Sequence, residues 1–337
     1  MQINQISSPR ARLGHWLPIA LTILNVGALS AADAPKAAAN PAKLDADYAI
    51  QGEYAGELDT EPWGVQLVAL GGGKFEGVGF AGGLPGAGWD GDRSTIVRGT
   101  GELVDGVVRF MAGAGRFTGT IKDGVLSITE SGSVEVGTLK RLVRKSPTEG
   151  EAPPAGAIVL FDGKNVDAWR DGAKMTDDGL LIAGATSRQE FQNFRLHLEF
   201  RTPYKPAARG QDRGNSGAYA QGRYEVQVLD SFGLAGENNE AGGIYSVAAP
   251  SVNMCLPPLQ WQTYDIDFTA AEFDASGKKT KDATMTVRHN GVVVQEGTKL
   301  PRATAAAPLG EGSTPGPLYL QDHGNPVHYR NVWIVPK

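Results

Sequence analysis

The sequence has little of what several protein classes require. Cys255 is its one cysteine among 337 residues, which excludes an internal disulfide and a zinc site built from several thiolates. The formal net charge of −5 provides no basic excess for nucleic acid or for an anionic membrane surface. A nucleophile elbow, a dinucleotide fingerprint and an HExxH motif are also missing. We therefore expect neither a nucleic-acid partner nor a nucleotide cofactor.

Long apolar runs are also missing, apart from residues 16–29 near the amino terminus. Arg10 and Arg12 precede this run, which is shorter than the roughly 20 residues that a membrane-spanning helix needs. The pattern predicts a cleaved signal peptide over residues 1–30 and a spacer over residues 31–43. An uncleaved anchor is the alternative. We expect a secreted or periplasmic protein with no transmembrane span after signal cleavage.

Glycine and proline are abundant, with 45 and 20 residues, and both favour turns over helix interiors. A repeat is visible between residues 100–110 (TGELVDGVVRF) and 118–128 (TGTIKDGVLSI). Asp-Gly between alternating apolar residues is a strong hairpin signal, because a type I′ turn needs two residues with positive φ. We predict a small glycine-rich antiparallel β-domain over residues 44–145 and a linker over residues 146–156.

The remaining residues, 157–337, form the larger predicted domain. About ten short apolar segments alternate with turn residues, and the Asn290-Gly291 pair marks another hairpin. No long segment with helical periodicity competes with them. This pattern predicts an all-β chain that ends in a β-sandwich or jelly roll. The single cysteine is expected to be a buried core thiol.

Polar residues gather on one face of the strand predicted at residues 223–229, since successive side chains of a strand point to opposite faces. The apolar set, which should face the core, is Tyr224, Val226 and Val228. The polar set is Arg223, Glu225 and Gln227, with Asn215 just upstream. Leu229 then breaks the alternation. It suggests a β-bulge that would aim Asp230 toward the face of Glu225.

A second polar face is predicted on residues 318–323, where Gln321 and His323 share a parity. A histidine near Glu225 would form an acid/base pair suited to neutral pH. A structural histidine that bonds a loop carbonyl is the alternative. Tyr245, in a loop, is a further candidate for substrate binding. A metal site would need three or more converging ligands, so we assign no metal ligand, while a divalent cation stays possible.

Five motifs resemble those of a known family. They are AIVLFDGKNVDAW (157–169), GNSGAYAQGRYEVQVLDSFG (214–233), WQTYDIDF (261–268), HNGVVV (289–294) and PLYLQDHGNPVHYRNVWI (317–334). In this order they resemble the bacterial 3-keto-disaccharide hydrolase domain, also described as a 3-keto-glucoside 1,2-lyase and 2-hydroxy-3-keto-glucal hydratase. The resemblance covers about 180 residues and leaves residues 44–145 outside it.

The resemblance implies a jelly-roll sandwich similar to the concanavalin-like lectins and glucanases. The glucanase catalytic strand reads E-x-D-x-x-E, whereas this chain has Glu225, Gln227 and Asp230 at the matching positions. That departure counts against double-displacement hydrolysis. The implied chemistry is elimination from a 3-keto-glycoside, followed by hydration.

Roles follow from that chemistry. Proton transfer would fall to Glu225 or His323, with Asp230 as a third catalytic candidate. Polar contacts to the sugar or its enolate oxygen would come from Asn215, Arg223, Gln227, Gln321 and Tyr245. For Arg223, a structural ion pair is an equally supported alternative. The alternative function is a non-catalytic carbohydrate-binding protein of the cell surface or periplasm. Both hypotheses predict a small carbohydrate as the partner.

Overall fold

The computed structural model describes residues 44–130 and 134–337. The predicted signal peptide and spacer, residues 1–43, lie outside the described residues. The all-β prediction is confirmed, since the described ranges hold 21 strands beside one short α-helix, α1 (Ala46–Ile50), and three 3-10 turns. No helix in these ranges has the length and apolar character needed to cross a membrane.

The first eight strands form a closed antiparallel barrel in which each strand pairs with the next and the last pairs with the first. They are β1 (Gly52–Leu58), β2 (Glu61–Gly71), β3 (Lys74–Ala81), β4 (Val97–Val104), β5 (Val107–Ala112), β6 (Phe117–Lys122), β7 (Val125–Glu130) and β8 (Val134–Leu142). The hairpin prediction is confirmed. Both Asp105-Gly106 and Asp123-Gly124 form turns with positive φ at the two residues.

Glycines inside the barrel have a packing cause. The ring of Phe110 on β5 lies against the neighbouring strands, where a Cβ on Gly77 would be 2.4 Å from its Cζ atom. A Cβ on Gly101 would be 2.3 Å from its Cδ2 atom. One end of the barrel is filled by buried side chains such as Tyr54 and Phe75. The glycine-rich composition of this part therefore lets a large ring occupy a narrow barrel.

The other thirteen strands follow from residue 158 onward. They are β9 (Ile158–Phe161), β10 (Leu181–Ile182), β11 (Ala185–Phe191), β12 (Phe194–Arg201), β13 (Ser216–Ala220), β14 (Tyr224–Val228), β15 (Gln262–Thr269), β16 (Glu272–Phe273), β17 (Lys279–Lys281), β18 (Ala283–His289), β19 (Val292–Leu300), β20 (Gly316–Leu320) and β21 (His328–Pro336).

Eleven of these strands build two facing sheets, and β16 and β17 form a separate two-stranded sheet. The larger has the order β10-β21-β12-β15-β18-β19, with β9 also paired to β21, and the smaller has the order β11-β20-β13-β14. Apolar side chains from both sheets form one buried cluster. The ring of Tyr224 on the smaller sheet, for example, lies 5.6 Å from that of Phe268 on the larger. The outer face of the smaller sheet is thereby left for polar residues.

The barrel contacts the sandwich just after β14. Val68 of the barrel shares a buried apolar cluster with Phe232 and Cys255, which confirms the expectation of a buried thiol. Burial also raises the pKa of that thiol. Arg213 donates to the backbone oxygen of Ala69 on β2. The loop that follows β14 is thus held from the barrel side as well as from the sandwich side.

The predicted linker also contacts the sandwich. Its first residues lie on the outer face of the larger sheet, where the hydroxyls of Ser146 and Thr263 are 2.6 Å apart. The backbone N–H of Gly150 donates to Glu199 on β12 at 2.6 Å. The Thr148 hydroxyl donates to Asp265 on β15 at 2.9 Å. The linker is therefore hydrogen-bonded to the larger sheet from Ser146 to Gly150.

Candidate active site

Strand β14 divides its side chains as the alternation predicts. Tyr224, Val226 and Val228 belong to the buried cluster between the two sheets. Glu225 and Gln227 point away from that core. Glu225 contacts Tyr219 on the neighbouring strand β13, and Gln227 contacts Asn215 just before that strand. A turn at Gln221 and Gly222, both with positive φ, sets the pairing of the two strands.

Glu225 is the central carboxyl group of this face. It is only 2% exposed, and its Oε2 atom accepts a hydrogen bond of 2.7 Å from the Tyr219 hydroxyl. Its Oε1 atom lies over Gly217, where a Cβ would come within 2.2 Å of it. Burial raises the pKa of Glu225 to about 7, and the bond from Tyr219 only partly opposes that shift. Such a group exchanges a proton readily at neutral pH.

The Tyr219 hydroxyl joins Glu225 to strand β20. Gln321, directly after β20, donates to that hydroxyl at 3.1 Å. The rings of Tyr219 and Tyr319 lie 5.4 Å apart across the β13–β20 pair. Burial, reinforced by the nearby Glu225 carboxylate, raises the pKa of Tyr219. Tyr219 therefore stays protonated and works as a hydrogen-bond donor to Glu225.

Three amide side chains form a second group on the same face. Gln227 donates through Nε2 to Asn215 Oδ1 and to Gln211 Oε1, each at 3.1 Å. Asn215 in turn donates to Gln211 Oε1 at 3.0 Å. Sequence reasoning found Asn215 and Gln227 and missed Gln211, which lies on a short 3-10 turn (Gly210–Asp212) with no periodic pattern. Neutral amides of this kind are suited to sugar hydroxyls.

Tyr245 lies in a turn directly beside β14. Ile244 bridges to Val226 in antiparallel fashion, and the Tyr245 N–H donates to the Glu225 carbonyl oxygen at 3.2 Å. This register places Tyr245 next to Glu225 at the edge of the smaller sheet. The side chain is half-buried. The structure thus brings this predicted binding residue to the Glu225 face.

Arg223 holds a loop. Its guanidinium donates to the backbone oxygens of Gly310 and Thr314, at 2.8 and 2.9 Å, and to the Gln221 side chain at 3.0 Å. These contacts fix residues 310–314 beside the start of β14. The structural reading of Arg223 agrees with this arrangement, although the partners are carbonyl and amide oxygens and not a carboxylate.

Asp230 is bound by a buried arginine. Its Oδ2 atom accepts from Arg213 Nε at 2.7 Å, and both side chains are almost fully buried. The Asp230 N–H also donates to the Arg213 carbonyl oxygen. A carboxylate held in this way is neutralised by its partner. The structure places it at the end of β14, next to the barrel contact.

His323 lies in the turn after β20 and is exposed. Its backbone oxygen accepts from the Asn325 side chain at 3.1 Å. Among residues 44–130 and 134–337, no hydrogen bond links its ring to Glu225. The predicted acid/base pair is therefore not formed as a direct contact.

A separate polar cluster lies under the linker on the larger sheet. It is the one group of three convergent metal-type ligands in the described ranges: Glu151, His197 and Asp265. His197 Nδ1 is 2.9 Å from Asp265 Oδ1. The Arg195 guanidinium lies 3.2 Å from the Glu151 carboxylate and 3.5 Å from that of Asp265. Arginine and histidine thus supply the positive charge here. The cluster serves as a charge network that fixes the linker.

Burial and bonding oppose each other in this cluster. Burial lowers the pKa of His197, but hydrogen bonds to Asp265 and Glu199 outweigh it, so the pKa lies above its usual value. Burial would raise the pKa of Glu199, yet bonds from His197, Asn331, Gly150 and Arg330 lower it to about 2. Contact between these groups therefore favours the charged form of both His197 and Glu199.

Comparisons with known proteins point to carbohydrate chemistry. A family model described as a 3-keto-α-glucoside-1,2-lyase-like domain matches residues 156–335, the part that holds both sheets. A crystal structure at 2.13 Å, described as a "putative glycosyl hydrolase" from Parabacteroides distasonis ATCC 8503, is 35% identical. It covers 55% of this chain and 85% of that one, with a TM-score of 0.51.

A second structure with the same description and organism, solved at 1.70 Å, is 20% identical. It covers 58% of this chain and 98% of that one, with a TM-score of 0.40. No curated protein matches the chain.

Proposed function

Since the chain belongs to the 3-keto-α-glucoside-1,2-lyase-like family, we propose that its sandwich cleaves 3-keto-glycosides at the Glu225 face. The family match agrees with the resemblance of the sequence motifs. The observation that carries the proposal is a single buried carboxyl group whose pKa is raised to about 7 by burial, beside a set of neutral hydrogen-bonding side chains.

The reaction needs one proton to be removed first. A ketone at C3 of the sugar acidifies the C2–H bond, and Glu225 as carboxylate takes that proton. The electron pair forms the C1–C2 double bond as the C1–O bond breaks, and the aglycone oxygen leaves with the bonding pair and gains a proton. Water then adds across the enone. The net change is hydrolysis of the glycosidic bond.

A raised pKa suits this step. A base with a pKa near the working pH combines a useful ionised fraction with adequate proton affinity. The Oε1 atom of Glu225 accepts no hydrogen bond from the described protein residues, whereas Oε2 is held by Tyr219. In our proposal Oε1 is the atom that takes the C2 proton, and Tyr219 fixes its direction.

The neighbouring polar groups fit a binding role. Gln211, Asn215 and Gln227 would bind sugar hydroxyls or the enolate oxygen, and Gln321 and Tyr245 would border the ring on either side. Asp230 is neutralised by Arg213, so the second free carboxylate of a double-displacement hydrolase is not offered by that residue. This supports elimination over direct hydrolysis.

His323 is proposed as the group that protonates the leaving oxygen. It is exposed in the turn after β20, two residues beyond Gln321, whose side chain bonds Tyr219 beside Glu225. We also propose a concanavalin-like jelly roll for the two sheets and export of the chain by residues 1–30. Export is tested by fractionating cells that produce the full chain and locating the protein by immunoblot.

The decisive assay uses 3-keto-trehalose or 3-keto-sucrose with purified protein and measures the released sugar. Glu225→Gln should lower kcat by about 10² to 10⁴, the usual contribution of a general base. Glu272→Gln, at an exposed position on β16, is the matched control and should leave turnover unchanged. Sugar binding without any product in the wild type would support the carbohydrate-binding alternative instead.

A further inference from the structure

The barrel contains a cavity of about 260 Å³ that lies outside the family's domain. It opens at the end where β1 passes into β2. Its walls are mostly apolar, and the residues that define its shape are Trp63, Val65, Phe110, Phe117, Leu126 and Ile128. Folded proteins contain few voids larger than a water molecule, so a space of this size needs an explanation.

The cavity stays open although a larger side chain would fit in its wall. An eight-stranded barrel is just wide enough to be filled by side chains or to hold one small ligand. Tyr54 and Phe75 fill the opposite end. At the cavity, Gly79 lines the wall, and a Cβ added there would approach no atom closer than 3.5 Å. A larger residue would fit at Gly79, in contrast to Gly77, where Phe110 blocks the Cβ position.

The side chains that line the cavity determine which class of ligand it favours. Trp63, Phe110 and Phe117 offer three aromatic side chains. The hydroxyl of Thr118, also on the wall, is 2.7 Å from that of Thr129 and is therefore engaged. A molecule inside would thus meet apolar surface and aromatic rings, with little opportunity for hydrogen bonding.

The mouth is acidic. Asp59, Glu61 and Glu130 border it, and among the described residues only Glu130 has an ion-pair partner, Arg116 at 2.6 Å. The remaining carboxylates disfavour an anionic ligand such as a fatty acid. They do not oppose a neutral one.

We propose that the barrel binds a small, neutral aromatic molecule. An apolar cavity of about 150 Å³ holds one benzene, so this space corresponds to roughly ten non-hydrogen atoms, the size of two fused rings. This binding site is independent of the Glu225 face and stands whether or not the sandwich has the proposed activity.

The test is isothermal titration of the full chain with 2-naphthol and, as a matched anion, 2-naphthoate. We expect one 2-naphthol per chain and binding of 2-naphthoate weaker by about tenfold or more. Gly79→Leu, which places a side chain in the cavity, should weaken 2-naphthol binding by at least about tenfold. Val104→Thr, on the exposed side near the β4–β5 turn, is the control and should bind normally.

A second measurement locates the ligand even if Gly79→Leu fails to fold. Bound 2-naphthol should change the fluorescence of Trp63, and Trp63→Phe should remove most of that change while calorimetric binding persists. The proposal is overturned if folded wild type shows no saturable binding. It is equally overturned if folded Gly79→Leu binds as the wild type does, or if Trp63→Phe leaves the fluorescence change intact.

Discussion

The carboxyl group of Glu225 occupies the space that a side chain on Gly217 would need. A Cβ at Gly217 would lie 2.2 Å from Oε1 and 2.9 Å from the carboxyl carbon. The two residues belong to adjacent strands, since Gly217 pairs with Gln227 in the ladder. The carboxyl group of Glu225, the proposed base, can lie against the sheet because Gly217 has no side chain.

Gly217→Ala should consequently displace the carboxyl group. We expect kcat to fall by about 10- to 100-fold, because a misplacement of about 1 Å in a reacting group costs on that order. The matched control is Gly310→Ala, where a Cβ would meet nothing within 4 Å. Steady-state kinetics on a 3-keto-glycoside compare the two variants. Equal activity of both would contradict the proposed position of the base.

The raised pKa of Glu225, about 7, predicts how activity depends on pH. Only the ionised carboxylate removes a proton, so kcat/KM should rise as pH increases from about 6 to 8. Measuring kcat/KM from pH 5 to 9 checks this expectation. A profile that is already flat at pH 5 would contradict Glu225 as the base with its pKa in this range.

The same shift predicts an effect on stability. The folded state holds the Glu225 proton more tightly than the unfolded chain, so this residue destabilises the fold as pH rises from about 4.5 through 7. Glu225→Gln should therefore be more stable than wild type at pH 8, by up to about 3 kcal/mol, and similar at pH 4. Thermal unfolding at both pH values measures the difference. A constant difference at both would argue against the shift.

Asp230 offers a prediction that separates catalysis from structure. Asp230→Asn leaves the Arg213 charge buried and without its partner, which should cost about 3 to 5 kcal/mol of unfolding free energy. Arg213→Met combined with Asp230→Asn should recover part of that loss. Denaturant unfolding measures the stabilities. If Asp230 is structural, kcat of the folded variants changes only a few-fold, whereas a loss like that of Glu225→Gln would make it catalytic.

Glu199 makes the attachment of the linker sensitive to acid. Its pKa of about 2 means that it contributes stability above about pH 4.5 and loses that contribution as pH falls toward 2. Glu199→Gln should lower Tm at pH 7 and reduce the further loss of Tm between pH 5 and 3. Glu190→Gln, at a half-exposed ion pair on β11, is the control and should follow the wild type. Parallel curves for wild type and Glu199→Gln would contradict this assignment.

Local patterns in the sequence were sufficient for the strands and for one face of β14. Alternation placed Tyr224 and Val226 in the core, and the Asp-Gly pairs located the barrel hairpins. Both signals act between residues that are close in the chain. The raised pKa of Glu225 could not be read in this way, because it depends on burial by several separate segments.

What the sequence missed depends on contacts between distant residues. Closure of the barrel joins β1 to β8, whose paired residues lie about 80 to 90 positions apart, and no local pattern encodes that pairing. Gln211 reaches Gln227 from an irregular turn. The linker lacks an apolar pattern because it is held by charges and hydroxyls, such as the bond from Gly150 to Glu199. Such polar attachment leaves no hydrophobic signal.

Closure of the barrel has a consequence for the integrity of the chain. Each of its eight strands has both neighbours inside the barrel, so none presents a row of free backbone donors to another molecule. Losing β1 or β8 would open the ring and expose two edges at once. A truncation within segment 52–142 that removes a strand should therefore leave exposed edges and favour edge-to-edge aggregation.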